Sequence, residues 1–209
     1  MQLRRGDVLD GAMAILDEYG LADLTMRRLA TSLGVQPGAL YWHFPKRRPC
    51  SVLWPTEFSR GVDAPVSSER WDDGIADAHR LRTALLAHRD GAELVAATYA
   101  SRMTSTLARE SFVGAGVRAG LPRPYAELAA YTLLYFVLGH TVDEQSRAQM
   151  EAVGALTRAP ASPDTETAAD VGSDDDLLDG DPQVRFDFGL ALFIDGVRAR
   201  LATGSPAAR

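Results

Sequence analysis

The stretch that decides the fold is residues 25–47, Thr-Met-Arg-Arg-Leu-Ala-Thr-Ser-Leu-Gly-Val-Gln-Pro-Gly-Ala-Leu-Tyr-Trp-His-Phe-Pro-Lys-Arg. Its first apolar side chains recur at the i, i+3, i+4, i+7 spacing of a half-buried helix, and they are Met26, Leu29, Ala30 and Leu33. Thr25 precedes this run and suits an N-cap, because its hydroxyl can accept a hydrogen bond from a free backbone N–H of the first turn. The segment therefore begins with a helix.

A tight turn and a second helix follow. Gly34 comes directly after the last periodic residue, where a left-handed cap is easiest for a residue without Cβ. Pro37 suits the first turn of the next helix, since its missing N–H would have no helical partner there. Leu40 faces inward, and the residues left pointing outward are Ala39, Tyr41, Trp42 and His43. This pattern predicts a helix-turn-helix, the module that places a short second helix in the major groove of DNA.

The outward residues suit contact with DNA. Tyr41 can donate its hydroxyl to a phosphate, and Trp42 can lie against a sugar or a thymine methyl. Gly38 leaves the start of the helix thin enough to approach base edges. Lys46 and Arg47 begin a following helix, whose free N–H groups also favour a phosphate. The alternative is an ordinary helical hairpin with its aromatic residues packed under the next domain. The predicted DNA-contacting residues are Arg27, Gln36, Pro37, Gly38, Ala39, Tyr41, Trp42, His43, Lys46 and Arg47.

The sequence resembles a known family over most of its length. Residues 33–44 resemble the signature of the TetR family of bacterial transcriptional regulators, and residues 15–25 are similar to that family's first helix and turn. Residues 84–92 and 137–145 resemble the tetracycline-repressor branch of the family. The resemblance implies an all-α fold in which a three-helix DNA-binding head is joined to a larger helical body.

The same resemblance implies the domain organisation. Residues 1–47 correspond to the DNA-binding head, 48–68 to a connecting helix and linker, and 69–209 to the ligand-binding and dimerisation body. In TetR-like proteins the last two long helices form a four-helix dimer bundle, and here these are the helices at about 124–150 and 183–202. The implied partners are double-stranded operator DNA, a small-molecule effector and a second copy of the chain.

The implied effector pocket mixes apolar walls with a few polar groups. Its candidate residues are Thr98, Tyr99, Arg102, Met103, Phe112, Leu134, Val137, His140 and Asp143. The tetracycline branch binds its drug as a magnesium chelate through a His and a later carboxylate. Asp143 aligns with the carboxylate, but Val95 aligns with the His, so the only protein nitrogen ligand is lost. We therefore expect no metal and no cofactor, and we expect a bulky, partly aromatic apolar effector.

Charge and composition narrow the class. Residues 1–60 carry a net charge of +2 and residues 61–209 a net charge of −8, so an acidic body orients DNA toward the weakly basic head. We expect few phosphate contacts per subunit, and hence useful affinity only when two heads bind together.

The lone Cys50 excludes an internal disulfide. The sequence has no run of about 18 apolar residues and no signal peptide, which predicts a cytoplasmic protein without a membrane partner.

Helical periodicity extends through the rest of the chain. Helices are predicted at 4–19, 46–60, 71–88, 92–98, 102–119, 124–150 and 183–202. In the first helix the predicted core residues are Val8, Ala12, Ile15, Leu16 and Tyr19. Pro55 should kink or end the helix at 46–60, and Gly91 should end the helix at 71–88. The apolar stripe of the last helix, which includes Phe186 and Ile194, suits either the core or a dimer seam.

Residues 157–182 contain eight acidic residues and one Arg. Such a segment buries too little apolar surface to offset its ordering entropy, so we expect a mobile acidic loop. It serves as a tether or, as the resemblance to the tetracycline-repressor branch implies, as a flap over the neighbouring subunit's pocket.

These observations predict a ligand-responsive repressor that binds a palindromic operator as a homodimer. The alternative is a DNA-binding activator or regulator without small-molecule induction, which the predicted kink at Pro55 favours. An enzyme is not expected, because the sequence has no nucleophile elbow, phosphate loop or paired-carboxylate motif. The triplet at residues 88–90 is interpreted as a polar helix end.

Overall fold

The computed structural model describes residues 4–43, 72–100, 107–155 and 181–203. The predicted helix at 46–60 with its Pro55, the linker that follows, and nearly all of the acidic segment 157–182 lie outside these residues. Every regular element in the described ranges is helical, which confirms the predicted all-α class. The chain divides into two compact units, Met1–Val142 and Asp143–Arg209.

The first unit begins with the three helices of the head. They are α1 (Arg5–Tyr19), α2 (Met26–Ser32) and α3 (Pro37–His43), with a short 3₁₀ helix (Leu21–Asp23) between α1 and α2. The buried apolar side chains of this head are Val8, Leu9, Ala12, Met13, Ile15, Leu16, Leu24, Met26, Leu29, Ala30 and Leu40. The predicted helix-turn-helix is therefore present and is held by a continuous apolar core.

One predicted core residue of α1 is wrong. Tyr19 is 41% exposed, although it falls on the apolar stripe of the helix. The guanidinium of Arg28 lies 3.6 Å from the centroid of the Tyr19 ring. A cation over the ring face stabilises an aromatic side chain that keeps contact with water, so Tyr19 covers the side of the core without entering it.

The body is also helical, and its helices follow the predicted order. They are α4 (Asp72–Leu86), α5 (Gly91–Ala100), α6 (Leu107–Arg118), α7 (Arg123–Ala152) and α8 (Pro182–Ala202). The role predicted for Gly91 is wrong, because α4 already ends at Leu86 and Gly91 begins α5. The turn of residues 87–90 between them contains Asp90 with a positive φ of 54°, a conformation that Asp tolerates better than most residues.

The long helix α7 presents apolar side chains on more than one face, as predicted. Leu134, Val137 and Leu138 are buried, whereas Leu128 and Tyr135 are 63% and 58% exposed. In α8 the predicted apolar stripe is mostly core, because Phe186, Leu190, Ile194 and Val197 are all buried. A different stripe of α8 is exposed, and it consists of Val184, Phe188 and Leu192. None of the described helices combines the length and apolarity needed to cross a membrane.

Candidate functional site

The turn between α2 and α3 sets the position of the second helix. The Thr25 hydroxyl accepts a hydrogen bond from the backbone N–H of Arg28 at 3.1 Å, which is the predicted N-cap of α2. Gly34 lies in the turn with a φ of 64°, a conformation that glycine adopts without the steric cost of a Cβ. Leu40 anchors α3 from below and is fully buried. The opposite side of α3 is therefore the side that faces away from the head's core.

The residues predicted to contact DNA fall into three groups. Arg27, Gln36, Pro37 and Gly38 are exposed, and Ala39 is half-buried. A Cβ added at Gly38 would meet nothing within 4 Å, so no internal packing requires glycine at this position. Tyr41, Trp42 and His43 lie on α3, but their side chains, like Lys46 and Arg47, fall outside the described residues.

Two adjacent arginines of α2 have different surroundings. Arg28 forms an ion pair with Asp23 and lies over the Tyr19 ring, so its guanidinium is held against the head. Arg27 is exposed and stands one helical position earlier, where its long side chain can reach past the surface. Of the two, Arg28 is therefore the arginine with a structural role in the head.

The head is hydrogen-bonded directly to the turn between α4 and α5. The carboxylate Oδ2 of Asp90 accepts a hydrogen bond from the backbone N–H of Leu21 at 2.7 Å. Gly20 precedes Leu21 and has a φ of 86°, and a Cβ added there would lie 2.7 Å from Asp90 Oδ2. The positive φ favours glycine, and the absence of a Cβ leaves room for the Asp90 carboxylate.

A second set of contacts joins the same two elements. Nδ1 of His88 lies 3.1 Å from both carboxylate oxygens of Asp17. The backbone N–H of Arg89 donates to Asp17 at 3.3 Å, and its guanidinium donates to the carbonyl of Glu18 at 3.1 Å. We call this surface, formed by residues 17–21 of the head and 88–90 of the body, the head–body contact. The sequence interpretation of residues 88–90 as a polar helix end missed it.

The candidate effector residues of α5 have different environments. Thr98 is fully buried and its hydroxyl donates to the Val95 carbonyl at 2.9 Å, so it is satisfied within its own helix. The Tyr99 hydroxyl oxygen is buried, and no hydrogen bond of ordinary geometry satisfies it in the described part of the chain. Burial is the largest cause that raises the pKa of Tyr99, and its hydrogen bond to Tyr131 is the next. The phenol of Tyr99 therefore stays protonated. Arg102 and Met103 lie outside the described residues.

The remaining candidates line α6 and α7. Phe112, Leu134 and Val137 are buried apolar residues, and His140 is half-buried with its ring centroid 5.9 Å from that of Phe136. Asp143 is mostly exposed and forms an ion pair with Arg147 at 3.2 Å. Asp143 belongs to the second compact unit, whereas the other described candidates belong to the first.

Two features of the body were not predicted. Tyr99 lies 6.0 Å from Tyr131 and 5.9 Å from Tyr135 between ring centroids, which brings α5 and α7 together through aromatic rings. Asp77 of α4 is fully buried, accepts a hydrogen bond from the Ser111 hydroxyl of α6 and pairs with Arg80. A buried carboxylate requires such partners. The signal in the sequence was the position of Asp77 on the apolar face of α4.

The position that aligns with the branch's metal-binding His is apolar here. Val95 is buried, with 1% of its surface exposed, and it offers no lone pair. Among the described residues, no three His, Cys, Asp or Glu side chains converge as a metal site would require. The residues present therefore do not fit a magnesium chelate held by imidazole and carboxylate.

A helix-turn-helix head bonded to a helical body defines a DNA-binding regulator, and comparisons with known proteins identify its family. The family model "Bacterial regulatory proteins, tetR family" matches residues 8–48, and "Tetracyclin repressor-like, C-terminal domain" matches residues 65–201. This chain therefore belongs to the TetR family of transcriptional regulators, with a DNA-binding domain followed by a ligand-binding C-terminal domain.

Individual relatives cover nearly the whole chain. The tetracycline repressor protein class C of Escherichia coli is 34% identical over 97% of this chain and 94% of its own length. The structure of Mycobacterium smegmatis BioQ is 39% identical, with a TM-score of 0.77, over 95% of this chain and 99% of that one. BioQ with its natural double-stranded DNA operator is 37% identical, with a TM-score of 0.72, over 94% and 98%.

Proposed function

We propose that this chain is a ligand-responsive repressor that binds a palindromic DNA operator as a homodimer in the bacterial cytoplasm and is released by a small apolar or aromatic effector. The observation that carries the proposal is the head–body contact, which ties the DNA-binding head to the turn between two helices of the ligand-binding domain. A change in the body at this turn reaches the head without an intervening linker.

The DNA-binding role of the head follows from its surface. Arg27, Gln36, Pro37 and Gly38 leave the start of α3 exposed, and the space around Gly38 is open. We assign the ten predicted residues of the head to the operator interface, with base contacts from α3 and phosphate contacts from the flanking cations. BioQ, a relative of this chain, was solved with its double-stranded DNA operator, which supports a DNA-binding role for the head.

The homodimer is supported by apolar surface that the chain leaves exposed. Val184, Phe188 and Leu192 of α8 are each more than half exposed and recur every four residues, which places them on one side of the helix. Fully burying a side chain of this kind stabilises by about 1.5 to 3 kcal/mol. A second copy would cover this stripe. In the first unit, considered by itself, Leu128 of α7 is also exposed.

Induction requires that the effector bind one arrangement of the body more tightly than the other. The head–body contact supplies an element that can differ between two such arrangements, because it consists of a few hydrogen bonds at a turn. A coupling of about 1 to 3 kcal/mol between effector and operator corresponds to a 5- to 150-fold change in DNA affinity. The loss or distortion of two or three hydrogen bonds changes the free energy by a similar amount.

The effector differs from that of the tetracycline repressors. Val95 supplies no imidazole, and Asp143 is already paired with Arg147. We therefore propose an effector that needs no magnesium. A calorimetric titration in which tetracycline binds at micromolar concentration only when magnesium is present would contradict this part of the proposal.

Fluorescence anisotropy tests the function as a whole. Labelled DNA fragments flanking the gene are titrated with the purified protein over a salt series. We expect saturable binding of one palindromic fragment by two chains per site and release by an apolar or aromatic compound. Weak, sequence-independent binding would contradict recognition of a specific operator. Tight binding from which no compound releases the DNA would favour a regulator without induction.

A further inference from the structure

The first compact unit contains a cluster of three tyrosines and an arginine, contributed by α5, α6 and α7. The rings of Tyr131 and Tyr135 are stacked at 28°, with centroids 6.2 Å apart, and Tyr99 meets the Tyr135 ring edge-on at 5.9 Å. The guanidinium carbon of Arg109 lies 5.4 Å from the centroid of the Tyr131 ring. We call these four side chains the tyrosine–arginine cluster.

The buried end of the cluster holds a hydroxyl whose hydrogen bonding is incomplete. The Tyr99 hydroxyl is screened from water, and its hydrogen bond to the neighbouring Tyr131 hydroxyl lacks good geometry. Since burial raises its pKa, this hydroxyl is neutral and able to donate. A buried donor with a poorly aligned acceptor loses part of its hydrogen-bond energy, and a bound molecule with an acceptor oxygen in better geometry would recover it.

The rest of the cluster combines exposed aromatic surface with a positive charge that acts on Tyr99. Tyr131 is 39% and Tyr135 58% exposed, so their rings offer aromatic surface. Arg109 is mostly buried and donates to Glu110 at 2.8 Å. Burial is the largest single influence and opposes its charge, but the hydrogen bond and negative charge of Glu110, together with Tyr131 and Tyr99, raise the pKa of the guanidinium. Because Glu110 is half exposed, this ion pair contributes little to stability, and an anionic ligand can compete for Arg109.

We infer that the tyrosine–arginine cluster binds a planar aromatic carboxylate. The aromatic ring of the ligand stacks on the exposed tyrosine rings, and its carboxylate accepts hydrogen bonds from the Tyr99 hydroxyl and the Arg109 guanidinium. The tyrosine rings provide apolar contact area for the ligand ring, and the two hydrogen-bond donors fix the orientation of its carboxylate. This inference rests on the proposed ligand response and narrows the effector to one chemical class.

The inference is tested by direct binding in the absence of DNA. The full-length protein is titrated calorimetrically with 2-naphthoate and with its neutral isostere 2-naphthamide. We expect 2-naphthoate to bind more tightly, because only the carboxylate gains charge-assisted hydrogen bonds. Equal affinity for the two probes, or no binding of 2-naphthoate, would overturn the inference.

Three variants assign the binding to individual donors. Tyr99→Phe removes one hydroxyl and should weaken 2-naphthoate binding about tenfold. Arg109→Gln should abolish the preference for 2-naphthoate over 2-naphthamide. Arg118→Gln removes a positive charge from an exposed position of the same helix and should leave both affinities unchanged. Far-UV circular dichroism of each variant checks the fold. Unchanged affinity in Tyr99→Phe would exclude this donor and overturn the geometry.

The anisotropy assay separates this inference from the proposed function. Binding of 2-naphthoate without release of the operator would support the cluster and contradict induction by this class. Release of the operator by an uncharged compound, with no binding of 2-naphthoate, would support induction and overturn the cluster. If 2-naphthoate does not bind and Tyr135→Ser converts a dimer into monomers in analytical ultracentrifugation, a second copy covers this surface, and the inference is wrong.

Discussion

Asp17 and His88 meet across the boundary between the DNA-binding head and the body, although 71 positions separate them in the sequence. Both carboxylate oxygens of Asp17 lie 3.1 Å from Nδ1 of His88. The side chains are 45% and 28% exposed, so the pair is accessible to water and to salt. Together with the hydrogen bond from Leu21 to Asp90, it makes the head–body contact polar and easily rearranged.

The strength of this pair can be measured by a double-mutant cycle with Asp17→Ala, His88→Ala and the double variant. We expect a coupling of about 0.2 to 1 kcal/mol in the free energy of unfolding, because the partners are partly exposed. Urea denaturation of the four proteins gives this value. A cycle of Asp17→Ala with Glu93→Ala, whose side chain is exposed on α5, should give none. A coupling near zero for Asp17 and His88 would contradict the contact.

Removal of the Asp90 carboxylate should weaken the link between effector and operator. Asp90→Ala leaves the N–H of Leu21 without its acceptor, which costs about 1 to 3 kcal/mol of stability. Asp90→Asn keeps an acceptor oxygen and tolerates the positive φ of 54°, so it should lose less. The measured quantities are the unfolding free energy and the ratio of operator affinities with and without effector. An unchanged ratio in Asp90→Ala would place the coupling elsewhere.

A methyl group at Gly20 should destabilise the same contact. Gly20 combines a φ of 86° with a ψ of 176°, a conformation almost restricted to glycine, so alanine costs on the order of 1 to 3 kcal/mol in backbone strain. The new Cβ would also approach Asp90 Oδ2 to 2.7 Å and Arg89 Nε to 3.2 Å.

A matched variant separates strain from the general effect of alanine. Gly6 lies in α1, and a Cβ there would meet nothing within 4 Å. Gly6→Ala should therefore be neutral or stabilise by up to about 1 kcal/mol, since alanine favours the helix. Urea midpoints of the two variants provide the comparison. Equal midpoints would show that residue 20 adapts without strain.

Local sequence signals were sufficient to predict the head but not its attachment to the body. Thr25, Gly34 and Pro37 act on the backbone within a few residues of themselves, so the start and end of α2 and α3 can be inferred from them. Asp90 acts on Leu21 across 69 positions. A carboxylate in a turn gives no periodic signal of its distant partner, and the triplet at 88–90 was therefore interpreted as a helix end.

The exposed aromatic residues show a second limit of sequence patterns. Tyr19 occupies an apolar position of α1, but it stays 41% exposed and its ring contacts Arg28, nine residues later on another helix. Tyr99 was predicted as an effector residue from the family resemblance, whereas its neighbours Tyr131, Tyr135 and Arg109 were not. Helical periodicity indicates that Tyr131 and Tyr135 share a face of α7, but it does not indicate which helix packs against that face.

The two adjacent arginines of α2 give a matched pair for the DNA interface. The slope of log affinity against log salt is negative, and Arg27→Ala should make it shallower by about one for each phosphate that Arg27 binds. The effect on stability should be small. Arg28→Ala should leave the slope nearly unchanged and reduce stability, because it removes the Asp23 ion pair and the cation over Tyr19. Anisotropy over a salt series and urea denaturation measure the two effects. If Arg28→Ala changed the salt slope and Arg27→Ala did not, Arg28 would be the arginine that leaves the head to bind DNA.

Substitution of Phe188 should separate the two copies of the proposed dimer. Phe188 is 67% exposed, so Phe188→Ser should hardly change the stability of the single chain. In a dimer the same ring is buried twice, and its loss should weaken association by at least about a hundredfold, at 1.5 to 3 kcal/mol per ring.

Asp187→Ser, at the neighbouring exposed position, is the control and should stay dimeric. Sedimentation velocity over a concentration series measures association. A Phe188→Ser protein that stays dimeric at nanomolar concentration would move the interface away from this stripe, and a dissociated variant should also bind the operator weakly because one head contributes few phosphate contacts.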